Sequence, residues 1–267
     1  MQNYQEMDLG WGRLAYRKFD PAPDLTVEAV PMILLHGGGG DGTTWDDLVA
    51  TFAERRTVYV PDLPGMGRSD RTGPYSMTVM RDAVLLLLDR LALDRVILVG
   101  HSLGGFAAML AAQVAPHRVT ALVLEECPPP VPLGITVPAD VDASAPYYDR
   151  EIRPSILRDL NTPDPAWWAS LDTITAPTLV LAGGSASFLP QDTIAAVAAR
   201  IPAGRLVTIE AGHRIHRDAP DDFVAAVNSF LDAAAELEVA HSMRERTGGA
   251  GSAGKSPAAA SGVTGPE

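Results

Sequence analysis

Six short, continuous apolar runs punctuate the chain, and their spacing sets the expected architecture. They fall at 31–35 (PMILL), 57–60 (TVYV), 95–99 (RVILV), 119–124 (VTALVL), 177–181 (PTLVL) and 205–209 (RLVTI). Runs of this length without polar alternation suit strands buried on both faces of a parallel sheet. Ahead of them, 10–19 reads as a hairpin, with Trp11-Gly12 near the turn and Leu14-Ala15-Tyr16 on a strand. Between the runs the period lengthens to that of a helix. Residues 77–91 carry apolar side chains at helical spacing, with Arg81, Asp82, Asp89 and Arg90 on the other face. Residues 106–115 are almost wholly apolar, as a helix buried beside a sheet would be; 191–200 and 220–231 follow the same logic. Alternating strand and helix predicts an α/β fold, a three-layer α/β/α sandwich around a mostly parallel sheet.

Two stretches break the alternation. Residues 128–170 are dense in proline, lack a clear strand and hold Tyr147, Tyr148, Trp167 and Trp168. A long insertion at that place, with aromatics, is expected to be a cap that shapes a substrate pocket over the strand ends. From 236 to 267 the chain is Ala, Gly and Ser with few large apolar residues, the composition of a disordered tail. The expected domain plan is a core of 1–127 and 171–235, a cap at 128–170 and a tail at 236–267.

Composition narrows the functional classes. The 267 residues include 21 Lys+Arg and 33 Asp+Glu, a net charge of −12. Phosphate binding needs a basic surface, so nucleic acid is an unsuitable partner. One cysteine, Cys127, closes no intrachain disulfide and builds no multi-cysteine metal site. The longest apolar runs, such as 83–88, fall far short of the roughly 20 residues that span a bilayer. No leader with an apolar stretch and a cleavage site is visible in 1–30. The expectation is a cytoplasmic protein with no membrane partner, acting on a small molecule; the oligomeric state is left open.

The strongest chemical signal is Gly100-His101-Ser102-Leu103-Gly104-Gly105, between a buried strand and a buried helix. That is the context of a G-x-S-x-G elbow, where a sharp strand-to-helix turn stands a serine hydroxyl at a helix N-terminus. Ser102 is therefore the expected nucleophile. The second signal is His36-Gly37-Gly38-Gly39-Gly40, also after a strand. Glycines there leave N–H groups unobstructed, and the amides of Gly38 and Leu103 could hold an oxyanion. A phosphate loop is a poor alternative, because no Lys-Ser/Thr pair follows and Asp41 adds negative charge. The base must be a histidine. His36 and His101 belong to the motifs, His117 ends the helix after the serine, and His241 lies in the tail. His213 follows a strand and Gly212, before the last helix, and is favoured over His216.

These motifs, with the Asp62-Leu63-Pro64-Gly65-Met66-Gly67-Arg68-Ser69 loop, resemble those of the α/β-hydrolase superfamily. The resemblance implies Ser102 as nucleophile and His213 as base, in the chain order Ser, acid, His. The acid is where the chain departs from the common pattern. Many relatives carry it after the strand at 177–181, but here 182–190 holds no carboxylate, and Ser187 stands about where the acid would be. Branches such as the haloalkane dehalogenases carry it after the preceding strand, which here ends in Glu125-Glu126. Side chains alternate along a strand, so only one of the two should face the site. Glu126 falls at the relatives' position, with Glu125 the alternative. Those dehalogenases use an aspartate nucleophile; a serine implies an acyl-enzyme instead.

The expected activity is hydrolysis of a small apolar carboxylic ester, with no metal or organic cofactor. The same triad could serve C–C, amide or thioester hydrolysis, acyl transfer or a lyase step, and a non-catalytic ligand-binding role is a separate class. Cys127, beside two carboxylates, is expected to be a packing residue with a raised pKa. Asp62, Arg68 and Asp70 are expected to fix their loop by ion pairs.

Overall fold

A computed structural model of the chain describes residues 4–21, 29–135 and 148–248. Among them are eight strands: β1 (Tyr4–Asp8), β2 (Arg13–Phe19), β3 (Met32–Leu35), β4 (Val58–Pro61), β5 (Val96–His101), β6 (Val119–Glu125), β7 (Thr178–Ala182) and β8 (Gly204–Thr208). They form one sheet in the order β1-β2-β4-β3-β5-β6-β7-β8. β1 and β2 make the expected hairpin, and β2 joins β4 antiparallel; every pairing from β4 to β8 is parallel.

The helices are α1 (Asp46–Ala53), α2 (Met77–Arg90), α3 (Leu103–Val114), α4 (Ile152–Asn161), α5 (Pro165–Ala169), α6 (Gln191–Arg200), α7 (Ile215–Asp218) and α8 (Pro220–Gly248). Local chemistry explains several starts. Ser76 caps α2, its side chain accepting from the Val79 N–H at 3.1 Å. Asp164 caps α5, and Pro165 fills its first position, where a missing N–H costs nothing. Helix α2 buries Met77, Met80, Ala83, Val84, Leu87 and Leu88, a stripe at helical spacing.

The sheet divides its apolar side chains between two faces by simple alternation. Ile33, Leu35, Leu98, Leu122 and Leu124 pack in one cluster with α2, α3 and α6. On the other face Trp45, just ahead of α1, lies 5.9 Å from Phe223 of α8. The result is the expected three layers. One strand departs from expectation. The run at 205–209 forms β8, but β8 is the sheet edge, and Leu206 and Val207 are exposed. A continuous apolar run cannot distinguish an edge from an interior strand.

Residues 4–230 form one compact unit, and a second begins at Leu231. In that second unit α8 continues to Gly248, so the helix runs beyond 235, where structureless chain was expected to begin. Its Ala, Leu and Glu residues at 233–238 are strong helix formers. No described helix is long and apolar enough to cross a membrane.

Candidate active site

Ser102 occupies the one-residue turn between β5 and α3, with φ +49° and ψ −114°. A non-glycine residue there is strained, and its surroundings must impose it. Two glycines allow the turn. A Cβ on Gly100 would sit 2.4 Å from the Gly104 carbonyl oxygen, and one on Gly104 would sit 2.4 Å from the Leu35 carbonyl oxygen. The Ser102 N–H donates to the Glu125 carbonyl at 2.9 Å, tying the turn to the end of β6.

His213 lies in the loop between β8 and α7. The Gly212 N–H donates to the Gly183 carbonyl at 2.9 Å, which docks this loop on the end of β7. The imidazole Nε2 is 3.1 Å from Ser102 Oγ, and Nδ1 is 3.1 Å from Glu126 Oε2. Glu126 is fully buried and also accepts from the Gly183 N–H at 2.5 Å, the Gln191 amide at 3.1 Å and the Ser187 hydroxyl. Burial pushes its carboxyl up, but the bonds from His213, Ser187, Gly183 and Gln191 outweigh burial and hold it below the ordinary carboxylate range. An ionised Glu126 accepts from Nδ1–H, which leaves Nε2 free to accept the Ser102 proton. Ser187, at the position where many relatives would carry the acid, thus serves as a donor to the glutamate instead.

A pocket of about 380 Å³ opens over Ser102 and His213. Gly38 and Leu103 lie on its wall, and a Cβ on Gly38 would be 3.7 Å from the Leu103 side chain, so the two residues adjoin. The Leu103 N–H, first in α3, has no carbonyl one turn earlier to bond. His36 braces the glycine loop from behind: Nδ1–H donates to the Gly37 carbonyl at 2.8 Å, and Nε2 accepts from the Leu63 N–H at 2.9 Å. Burial lowers its pKa, in keeping with a neutral ring that donates on one side and accepts on the other.

A sequence model described as the alpha/beta hydrolase fold matches residues 30–146. The solved structure of Est816, described as an N-acyl homoserine lactone degrading enzyme, superimposes with a TM-score of 0.68 at 25% identity, over 85% of this chain and all of that one. The chain has the α/β-hydrolase fold. An sn-1-specific diacylglycerol lipase of Mus musculus is 28% identical, over 82% of this chain and 85% of its own length. An uncharacterized protein of Mycobacterium tuberculosis is 43% identical over 94 residues, 35% of this chain; the match spans only 28% of that protein. These similarities, to the fold model, Est816 and the lipase, are to hydrolases.

The expected site residues divide into four groups. Ser102, His213 and Glu126 come together, with Gly38, Leu103 and Tyr148 around the same pocket. Trp167 and Trp168 do not line it. Trp167 packs edge-on against Phe106 of α3 at 5.3 Å, and the Arg200 guanidinium lies 5.9 Å from the Trp168 ring. Both sit on the short α5, on the side that faces α3 and α6. Tyr147 lies outside the described residues. Sequence reasoning missed the walls that α4 supplies (Ile152, Arg153, Ile156, Leu157 and Leu160), and also Met77 and Phe188. The 152/156/160 spacing of Ile, Ile and Leu was the available signal. The ring of Phe188, largely exposed, stands 4.4 Å from that of His213.

Glu125 is not beside His213. Its carboxylate meets His216, with Nδ1 at 2.8 and 2.9 Å and the His216 N–H at 2.8 Å. His101 borders the same cluster, with Nε2–H donating to the His213 carbonyl at 2.7 Å. Ligand atoms of His101, Glu125 and His216 lie within 4.8 Å of one another, the spacing a metal ion could use. They already hydrogen bond at 2.7 to 2.9 Å, so a cation would have to displace those bonds. Burial lowers His101 to about 4 and His216 to about 3, and raises Glu125 to about 7. The expected loop ion pairs are only partly present. Asp70 pairs with Arg13, whereas Asp62 accepts from the N–H groups of Gly42 and Arg68, and the Arg68 guanidinium lies over the Tyr4 ring at 4.3 Å. Cys127 is buried, and burial, with Glu126 adding, pushes its thiol pKa up.

Proposed function

We propose that this hydrolase cleaves small, largely apolar carboxylic esters through an acyl-enzyme at Ser102. The observation that carries the reading is the relay of two 3.1 Å contacts, Ser102 Oγ to His213 Nε2 and His213 Nδ1 to Glu126 Oε2. Slightly long contacts of this kind are usual before substrate binds. The lipase and lactone-degrading relatives support an ester-type bond.

In the first step His213 takes the Ser102 proton as Oγ attacks the acyl carbon. Glu126 stabilises the imidazolium without taking its proton. The Gly38 and Leu103 amides hold the oxyanion, each worth roughly 3 kcal/mol in the transition state. The imidazolium then protonates the departing alkoxide, and the alcohol leaves. Water enters, gives a proton to His213 and attacks the acyl carbon. Collapse of the second tetrahedral species returns the proton to Oγ and releases the acid. The apolar walls from Met77, Ile156 and Leu160 limit water around the acyl group and fit a small substrate.

The test is rapid-mixing kinetics with a p-nitrophenyl ester of a short fatty acid. The expected result is a burst of p-nitrophenol, about one equivalent per chain, that Ser102→Ala abolishes. An unchanged burst in that variant would refute the proposal.

A further inference from the structure

Among the residues that line the pocket, thirteen are apolar, aromatic, glycine, Ser102 or His213, and the fourteenth is Arg153. This arginine is exposed and makes no ion pair or side-chain hydrogen bond among the described residues. Arg13, Arg17, Arg81, Arg118, Arg200 and Arg214 pair with carboxylates, whereas Arg90, Arg158 and Arg205 do not among the described residues; Arg153 is set apart by its place on the pocket wall. Nor does Arg153 serve its own helix. It stands in the first turn of α4, where a cation opposes the helix dipole. In a chain of net charge −12, the guanidinium at the wall of this otherwise apolar pocket thus meets no carboxylate among the described residues.

We infer that Arg153 binds a carboxylate carried by the substrate, so that the preferred ester bears an acid group at the end remote from the scissile bond. The inference deepens the ester-hydrolase reading and rests on it. A planar guanidinium offers paired N–H donors that match a carboxylate. One guanidinium balances one carboxylate charge; a phosphate dianion would call for more cationic or N–H partners than this wall supplies. Between the two ends, Ile152 and Ile156 on the face of α4 flank the methylene chain.

The experiment compares monomethyl esters of linear dicarboxylic acids, C4 to C8, with methyl esters of the matching monocarboxylic acids. Turnover is followed by acid release, and binding by calorimetry on Ser102→Ala. At the best chain length, the carboxylate-to-neutral ratio of kcat/KM is expected to fall about ten-fold in Arg153→Gln, mainly through KM. Arg153→Lys should retain most of the preference, and Arg153→Glu should reverse it. In calorimetry the acid-bearing ester should bind Ser102→Ala about ten-fold tighter than it binds the double variant Ser102→Ala/Arg153→Gln. Equal binding by those two proteins at every chain length overturns the proposal, whatever the turnover. Discriminating binding without turnover by the wild-type chain would uphold the anion site and sink the ester-hydrolase reading instead.

Discussion

Glu125 and Glu126 are adjacent in sequence and both fully buried, yet their carboxylates serve different histidines: Glu125 meets His216, and Glu126 meets His213. Strand alternation alone would turn one of them away from the site. Glu125 is the one turned away, and Glu126, just past the end of β6 with φ +45°, reaches the catalytic histidine. Both carboxylates reach the segment that follows β8, Glu126 in the loop and Glu125 on α7, at positions three residues apart.

Neutralising the two glutamates should therefore have unlike effects. Glu126→Gln is expected to lower kcat about 10³-fold, because an amide neither stabilises the imidazolium nor fixes the tautomer that frees Nε2. Glu125→Gln should lower kcat less than about ten-fold. Steady-state kinetics on one ester settles the comparison, and equal losses would contradict the separate roles.

The same pair predicts a pH signature in stability. Burial raises the Glu125 carboxyl from 4.5 to about 7. Between those values the folded chain keeps a proton that the unfolded chain has released, so this group's contribution to stability declines as pH rises through that window. His216, lowered by burial to about 3, acts with the opposite sign between about 3 and 6.5. Glu125→Gln removes the first effect. The Tm of the variant relative to wild type should rise from pH 5 to pH 8, and a falling difference would contradict the assignment.

The elbow should tolerate no side chain at Gly104. A Cβ there meets the backbone of Leu35 at 2.4 Å, and backbone cannot swing aside as a side-chain tip can. Gly104→Ala is expected to destabilise the fold by about 3 kcal/mol, the upper range for overpacking. Urea melts read this directly, and a change below about 0.5 kcal/mol would show that the turn can relax.

Much of this architecture is legible in the amino-acid sequence. The six apolar runs form β3 to β8, and the glycine-flanked serine falls on the expected turn. What escapes a sequence reading is set by tertiary context. The run at 205–209 carries no hint of lying at the edge, since its neighbours are chosen by topology. The cap was expected to present Trp167 and Trp168 to the substrate; instead they pack toward α3 and α6, while α4, hidden in a proline-rich stretch, supplies the wall. Ser187 looks like the loss of an acid and is a hydrogen-bond donor to one.

Cys127 should be inert in the folded chain. It is buried, and burial raises its thiol pKa, so little thiolate is available. Iodoacetamide at pH 8 is expected to leave it unmodified until denaturant is added. Fast alkylation of the native chain would contradict this packing.

The central claim is that His213 and Glu126 make Ser102 unusually nucleophilic. The most direct measurement is labelling by a fluorophosphonate, followed by peptide mapping. The account predicts one label per chain, on Ser102, with the rate reduced at least 100-fold in His213→Ala. A wild-type chain that stays unlabelled, or carries the label on another residue, would contradict it.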